Sequence, residues 1–323
     1  MFLLRFRRAF QARATRIALL APVVLVTLPF WPACAPAPSQ KSFPTAEEAV
    51  KAVLQAAAET DPDERLREIF GSEAEGIMSS GDPVYDRRQR EVIVVAFQQG
   101  WKLVDQEAGK KELLIGDESW PFPVPLVKDS DGWRFDTAAG VEEILARRIG
   151  RNELSVLQFC MTYVQAQQEY ARQGHDGHPA GVYAQRTASE PGKQNGLYWP
   201  VKPRQKPSPL GSLAAQAAEE GYAARNSSSG PSPFHGYVFR ILTAQGDKAP
   251  GGARIYVVDG KMTGGFALIA YPAEYGDSGV MTFIVNHDGT VYEKDLGDET
   301  KEIASRVKEY NPDETWRPAE SSR

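Results

Sequence analysis

The sequence predicts an α+β protein, in which helices and antiparallel sheets occur in two successive parts of the chain. Apolar residues recur at helical spacing in much of residues 43–99 and again in residues 137–172. Runs rich in Val, Ile, Phe and Tyr fill residues 233–296 and alternate there with turns that contain Gly, Pro and Asp. A length of 323 residues is sufficient for two such parts.

The composition is that of an ordinary globular protein, with 42% hydrophobic and 24% charged residues. The net charge of −5 argues against nucleic acid as the main partner, because phosphate binding needs a concentrated basic surface. The two cysteines, Cys34 and Cys160, are too few for a disulfide-dense scaffold. Cys160 lies in an apolar helical pattern, which predicts a buried and inert thiol.

The N-terminal segment has the features of a secretory signal. Residues 1–16 contain five arginines and no acidic residue, and an uncharged apolar run follows at residues 17–30. A basic region, a short apolar region and a small residue before the cleavage site are typical of export. The run is shorter than the roughly 20 residues of a comfortable membrane span. We therefore expect residues 1–33 to be a signal peptide.

The residues around Cys34 resemble a bacterial lipoprotein box, with Ala33 directly before the cysteine and Trp31 where Leu is usual. This resemblance implies that the Cys34 thiol is lipidated, that residues 34–42 form a flexible tether, and that the protein is anchored to a membrane of the cell envelope or lies in the periplasm. The alternative is an ordinary signal peptide cleaved near Ala35 or Ala37.

Residues 43–150 are predicted to form a first α+β domain. Thr45 and Glu48 form a capping box at a first helix, and prolines at positions 62 and 83 favour two further helix starts, the last helix running to about Gln99. Strand-like segments follow from Gly100 onwards. Helices followed by a curved antiparallel sheet resemble the cystatin-like and NTF2-like folds. Five aromatic residues either line a pocket or, as we favour, fill the core: Trp101, Trp120, Phe122, Trp133 and Phe135.

Residues 151–323 are predicted to form a second α+β domain. We expect one helix to end at Gly150 and Asn152 to cap the next, which extends to about Arg172. That helix is apolar around most of its circumference, which predicts packing against a C-terminal sheet. We expect its strands near residues 237–242, 254–258, 265–271, 280–286 and 290–294. The 265–271 strand lacks polar alternation, which predicts burial of both faces.

Two turns contain residue types that proteins use in catalysis or ligand binding. Residues 276–279 resemble the serine nucleophile loop of chymotrypsin-like proteases, although Val280 stands where that family has Gly. A hydrolase using Ser278 would need an imidazole base, for which His235 and His287 are the candidates. His175, Asp176 and His178 form the second candidate, a metal or small-molecule loop, although a zinc site needs three or four ligands. Turn formation explains both sequences, and no catalytic, cofactor or metal residue is assigned.

The chain is similar over nearly its whole mature length to a family of bacterial exported proteins, domain of unknown function 2950. The segments that carry the resemblance include IGRNE, PGKQNGLYWP, PFHGYVFRILTAQG and GKMTGGFALIAYPAEYGDSGVMTFIVNHDGTVYEKDLG. The family implies no activity. A weaker resemblance, in QEYAR, GYVFR and HDGTVYE, is to the C-terminal body of type IV pilin-like proteins, and it implies a long helix packed on an antiparallel sheet.

The leading hypothesis is an exported, lipid-anchored envelope protein without catalytic activity that serves as a binding or structural module. The alternatives are a hydrolase using Ser278 and a small-molecule or metal-ion binding module. The expected partner is the membrane, through Cys34, and a protein partner is left open.

Overall fold

The structure is a computed structural model that describes residues 40–59, 61–79, 83–202, 204–219 and 233–320. The predicted signal peptide and Cys34 lie outside these residues. The chain divides into two compact units, with the boundary between Ala146 and Arg147. Helices and antiparallel sheets occur in the described part of each unit, which confirms the α+β class.

The first unit contains helices followed by a sheet, as predicted. Its helical elements are α1 (Ala46–Ala57), α2 (Asp63–Phe70), a 3-10 turn (Gly71–Glu73), α3 (Ala74–Met78) and α4 (Pro83–Gln99). Its strands are β1 (Trp101–Glu107), β2 (Lys110–Ile115), β3 (Trp120–Pro121), β4 (Leu126–Asp129) and β5 (Gly132–Phe135). The sheet is antiparallel in the order β1-β2-β4-β5, with β3 paired to β2. The Thr45 hydroxyl accepts the Glu48 N–H at 3.2 Å, which confirms the Thr45 half of the predicted capping box.

The aromatic residues of the first unit mostly fill its core. Phe122 and Phe135 are buried, and Trp101 and Trp133 pack against the same cluster. The Phe122 and Phe135 rings lie 6.4 Å apart in an edge-on arrangement. Trp120 is the exception, since 43% of it is exposed. Core packing, the favoured interpretation, therefore holds for four of the five residues.

One helix of 35 residues, α5 (Thr137–Ala171), replaces the two helices that we expected on either side of Gly150. The prediction of a helix end at Gly150 is wrong. A glycine inside a helix costs about 1 kcal/mol relative to alanine. Ile149 and Val156 are fully buried on either side of it, and this burial outweighs that cost. Asn152 is consequently no cap: its side-chain amide donates to the Ser278 carbonyl oxygen at 2.9 Å.

The second unit is organised around a five-stranded sheet. Besides α6 (Gly211–Glu219) and α7 (Thr300–Arg306), its elements are the strands β6 (Tyr237–Leu242), β7 (Ala244–Gln245), β8 (Arg254–Ile255), β9 (Val257–Val258), β10 (Lys261–Met262), β11 (Ala267–Pro272), β12 (Met281–Asn286), β13 (Val291–Asp295), β14 (Glu309–Tyr310) and β15 (Arg317–Pro318). The main sheet has the antiparallel order β15-β13-β12-β11-β6. A hairpin of β9 and β10 and a three-stranded sheet of β14, β7 and β8 accompany it.

Helices cover both faces of the main sheet. On one face, the Phe159 ring of α5 lies 4.1 Å from the Phe239 ring of β6, and the Tyr163 hydroxyl of α5 donates to the Ala267 carbonyl oxygen. On the other face, the Arg240 guanidinium donates to the carbonyl oxygens of Ala304 and Val307 at the end of α7. All six residues of β11 are buried, which confirms the prediction of a strand covered on both sides.

The prediction of one strand at residues 254–258 is wrong in one respect. These residues form two short strands, β8 and β9, which belong to different sheets. Tyr256 separates them and is fully buried. Its hydroxyl donates to the Gln245 side-chain oxygen at 2.6 Å, which draws the chain out of a regular strand. Among the helices of the described residues, none has both the length and the apolarity needed to cross a membrane.

Candidate functional site

The second unit contains a cleft of about 300 Å³ at the end of α5, called the Trp199 cleft below. It is lined by Glu169, Gln173, His175, Gln194, Trp199, Val201, Gln205, Lys206, Pro207 and Pro209. These residues come from the last turn of α5, the loop that follows it, and the proline-rich segment before α6. The cleft thus collects side chains from three separate stretches of sequence.

The loop after α5 is a tight turn at residues 174–178, called the His175 turn. Its two central residues have positive φ angles, 48° at Asp176 and 78° at Gly177, and the His178 N–H donates to the His175 carbonyl oxygen at 2.9 Å. Asp-Gly suits this conformation, because Gly has no side chain to clash and Asp tolerates it. At Gly174 a Cβ atom would lie 2.4 Å from the His178 oxygen, so a side chain would disrupt the turn.

The aromatic rings of His175 and Trp199 line one wall of the Trp199 cleft, and the Tyr170 ring lies behind them. The His175 ring is stacked on the Tyr170 ring, with centroids 4.2 Å apart and an interplanar angle of 23°. The Trp199 ring lies 5.4 Å from the His175 ring, tilted by 55°. Tyr170 is 4% exposed, so it is the buried support for the other two rings. The His175 turn therefore places an imidazole on a fixed aromatic base.

Gln194 is held in place by the same elements. Its backbone N–H donates to an Asp176 carboxylate oxygen and its carbonyl oxygen accepts the Tyr170 hydroxyl, both at 2.8 Å. Burial, and then the negative charge of Asp176, raise the pKa of Tyr170 to about 12, so this hydroxyl keeps its proton and donates. The Gln194 side-chain oxygen lies 3.4 Å from the His175 Nδ1 atom.

Some side-chain amides that line the cleft have donor or acceptor atoms that bind no described residue. The Gln205 oxygen accepts the Lys202 backbone N–H at 2.9 Å. The amide nitrogens of Gln194 and Gln205 and the whole side-chain amide of Gln173 form no hydrogen bond with any residue that the structure describes. Amides both donate and accept, so they are suited to a polar ligand.

The two oppositely charged side chains of the lining pair with each other. A Glu169 carboxylate oxygen lies 2.9 Å from the Lys206 ammonium nitrogen, and the side chains are 39% and 66% exposed. The pair is accessible to solvent, so its contribution to stability is small. Because the two charges cancel, this pair adds no net charge to the cleft.

The two histidines of the His175 turn differ in their surroundings. Within the described ranges there is no group of three or more His, Cys, Asp and Glu side chains placed to hold a metal ion. His175 faces the aromatic wall and lines the cleft, whereas His178 is exposed and does not line it. The His175 turn therefore contributes its imidazole to the lining of the cleft, and not a cluster of ligands for a cation.

The turn that contains the candidate nucleophile, residues 274–279, is called the Ser278 turn. The Ser278 hydroxyl donates to the Glu274 carbonyl oxygen at 3.1 Å and accepts the Glu274 N–H at 3.0 Å. It closes its own turn. Of the two candidate bases, His287 packs edge-on against the rings of Tyr256 and Phe266, and the His235 ring contacts its neighbour Phe234.

Three α5 residues hold the Ser278 turn and the two residues that follow it, and the sequence did not indicate that role for any of them. An Arg148 nitrogen lies 2.8 Å from an Asp277 carboxylate oxygen, and Asn152 donates to the Ser278 carbonyl oxygen, as noted above. Glu153 is 4% exposed, and its Oε1 atom accepts the backbone N–H groups of Val280 and Met281 at 3.0 and 2.9 Å.

Glu153 is the buried acidic residue among the three α5 residues that hold this region. Burial raises the pKa of Glu153, the backbone N–H bonds partly oppose that effect, and the nearby Glu293 adds to the increase. The Tyr237 hydroxyl lies 3.5 Å from the same Glu153 oxygen and donates to the Met281 carbonyl oxygen at 2.9 Å. In the sequence Glu153 directly follows the polar and charged residues of the segment RRIGRN, so no local signal distinguished it.

The remaining predicted residues fall into two groups. Cys34, the predicted lipidation site, lies outside the described residues. Cys160 is fully buried, and burial raises the pKa of its thiol to about 12, which agrees with the prediction of an inert thiol. Neither Trp199 nor the Glu169–Lys206 pair was predicted from the sequence to line a site. A tryptophan directly before a stretch rich in Pro and Lys is the signal that could have identified the cleft.

The fold and the cleft define an α+β protein with a candidate ligand-binding site in its second unit. The chain belongs to the family described as protein of unknown function (DUF2950), whose model matches residues 40–319. This match confirms the resemblance drawn from the sequence. No curated protein and no solved structure matches the chain, so the cystatin-like, NTF2-like and pilin-like resemblances stay predictions.

Proposed function

We propose that this protein is an exported, lipid-anchored envelope protein that binds a small molecule in the Trp199 cleft and catalyses no reaction. One observation carries the binding function: aromatic side chains and amides without hydrogen-bond partners among the described residues line the same cleft of about 300 Å³. Ligand sites in proteins typically combine an apolar and aromatic lining with a few polar groups that fix orientation.

The preformed geometry of the cleft supports binding. The His175 ring rests on the buried Tyr170 ring, and Gln194 is fixed through two backbone hydrogen bonds. Side chains that are already ordered lose little conformational entropy when a ligand arrives. A rigid wall with free amides is therefore suited to capture of a small molecule.

The N-terminal sequence supports export and anchoring. The basic segment, the apolar run and the Ala33-Cys34 pair follow the order of a lipoprotein signal. The family match begins at residue 40, after this segment. A short tether would then connect the lipid to the first unit.

Thermal unfolding of the purified mature protein in the presence of a small-molecule library tests the binding function. A ligand of the native state stabilises it by about 2.7 kcal/mol at a concentration 100 times its Kd. We expect at least one compound to raise the Tm of the wild type and not that of Trp199→Ala. Trp316→Ala, at the second tryptophan of this unit, is the matched control and should respond like the wild type. A library without any such compound contradicts the binding function.

The mass of the mature protein tests the anchor. We expect a chain that begins at Cys34 and carries the mass of acyl chains. Replacement of Cys34 by Ala should release the protein from the membrane fraction. An unmodified chain that begins at Pro36 contradicts lipidation and leaves the binding function to be judged by its own experiment.

A further inference from the structure

We propose that the ligand of the Trp199 cleft is a neutral sugar, bound as one or two pyranose rings of a saccharide, an inference that rests on the binding function proposed above. Three features of the lining lead to it: an aromatic wall, amides able to donate and accept, and charges that neutralise each other. The amides disfavour a purely apolar ligand, and the paired charges disfavour a charged one.

The aromatic wall matches the apolar face of a pyranose. A pyranose ring presents a patch of C–H groups on at least one face, and such a patch packs against an aromatic ring as an aliphatic side chain does. Trp199 is only partly buried, so its ring is available at the cleft, whereas Tyr170 is buried beneath His175. The wall thus offers a supported platform of the size of a sugar ring.

The amides match the hydroxyl groups at the edge of the sugar. A hydroxyl both donates and accepts a hydrogen bond, and a side-chain amide does the same. Gln173, Gln194 and Gln205 line the cleft, and each keeps an amide nitrogen without a partner among the described residues. All three side chains are exposed, so water solvates their amides in the free protein, and a purely apolar ligand would displace this water without replacing its hydrogen bonds.

The charges of the lining favour a neutral ligand. The Glu169 carboxylate and the Lys206 ammonium group lie 2.9 Å apart, so neither has to be neutralised by a ligand. A phosphate, a carboxylate or an ammonium group would have to compete with this pair for its partner. The pair can still accept and donate hydrogen bonds to hydroxyl groups without a change in charge.

The dimensions of the cleft set the length of the saccharide. A volume of about 300 Å³ lies at the lower end of the range for ligand pockets. This accommodates roughly one or two rings. A longer glycan is compatible with the cleft only if its other rings extend into solvent.

Saturable binding of defined sugars to the purified mature protein tests the inference. The neutral probes are glucose, N-acetylglucosamine, maltose, cellobiose and the N-acetylglucosamine dimer, measured by ligand-observed NMR and calorimetry up to about 10 mM, since a single ring binds weakly. Glucose 6-phosphate, glucuronic acid and glucosamine are the charged counterparts. We expect at least one neutral sugar to bind, and its charged counterpart to bind at least about threefold more weakly.

Variants locate the bound sugar. Trp199→Ala should weaken binding by at least about tenfold, because the platform is lost. Gln173→Ala should weaken it by about threefold or more, and it keeps the test valid if Trp199→Ala fails to fold, since Gln173 is exposed. Trp316→Ala and Gln168→Ala, which replace the same residue types outside the cleft, should bind like the wild type.

Three outcomes would overturn the sugar inference: no saturable binding of any neutral probe, binding that Trp199→Ala and Gln173→Ala leave unchanged, or binding of a charged sugar in preference to its neutral parent. If the library screen yields a Trp199-dependent ligand of another class while all sugars fail, the binding function stands and the sugar inference falls. If both experiments fail, both proposals fall.

Discussion

The Ser278 turn and the His175 turn resemble each other in sequence and differ in what their polar groups do. Both contain Gly and Asp, and both lie in the second unit next to α5. In the Ser278 turn the serine hydroxyl bonds twice to Glu274, and Asn152 of α5 donates to the Ser278 carbonyl oxygen. In the His175 turn Asp176 fixes Gln194, while the imidazole lies on the wall of an open cleft.

This difference shows how a functional residue can be separated from a structural one. A serine, aspartate or histidine in a glycine-rich turn is ambiguous, because turn formation needs the same residue types as chemistry does. The hydrogen bonds decide between the two. Where the polar atoms are satisfied by their own turn, the residues build the fold; where they border a cavity with free capacity, they are available to a ligand.

The largest effect is expected from Glu153→Ala, which removes the α5 contact directly after the Ser278 turn. Loss of the carboxylate leaves the buried N–H group of Val280 and the partly buried N–H group of Met281 without their acceptor, which should lower the free energy of unfolding by about 2 to 4 kcal/mol. Urea titration of the purified protein measures it. Gln158→Ala, at an exposed position of the same helix, is the control and should stay within about 0.5 kcal/mol. Equal values for the two variants would contradict the role of Glu153.

The pH dependence of stability gives a second test of Glu153. Burial raises its folded-state pKa above the ordinary value of 4.5, so the folded protein binds this proton more tightly than the unfolded chain does. Its favourable contribution is complete below the unfolded pKa and is lost as pH rises through the folded pKa. The free energy of unfolding of the wild type should therefore fall with rising pH in this window relative to Glu153→Gln. Parallel curves for the two proteins would refute it.

Ser278→Ala is expected to have a moderate structural effect and no catalytic one. Removal of the hydroxyl deprives the Glu274 N–H of its partner in an exposed turn, which should cost about 1 kcal/mol in urea unfolding. Turnover of small esters should be the same in the variant and in the wild type. Ester hydrolysis that is present in the wild type and absent from this variant would instead establish the hydrolase alternative.

His175→Ala should have the smallest effect on stability, and it should weaken ligand binding in the Trp199 cleft. The stacked pair with Tyr170 contributes about 0.5 to 1.5 kcal/mol, and the partly exposed position places the loss at the lower end. Any ligand identified for the Trp199 cleft should bind several-fold more weakly to this variant. His178→Ala, in the same turn but outside the cleft, is the matched control. Identical ligand affinity in both variants would remove His175 from the site.

Local signals predicted much of the fold. The cap of α1 at Thr45, the fully covered strand β11 and the buried thiol of Cys160 are all as expected. The continuous helix through Gly150 and the interruption of a strand at Tyr256 are not. In both cases the burial of neighbouring side chains outweighs a local preference, and propensity and pattern do not contain that information.

By itself, the sequence determined the α+β class, most helix and strand positions and the family, because these follow from the spacing of apolar residues and from turn and cap chemistry close along the chain. Only the tertiary structure decided what the polar residues do. Glu153 meets the backbone of Val280 across 127 positions, and the Trp199 cleft joins residues from Glu169 to Pro209. Such contacts depend on how the segments pack, so no local pattern reveals which polar groups are satisfied and which remain available to a ligand.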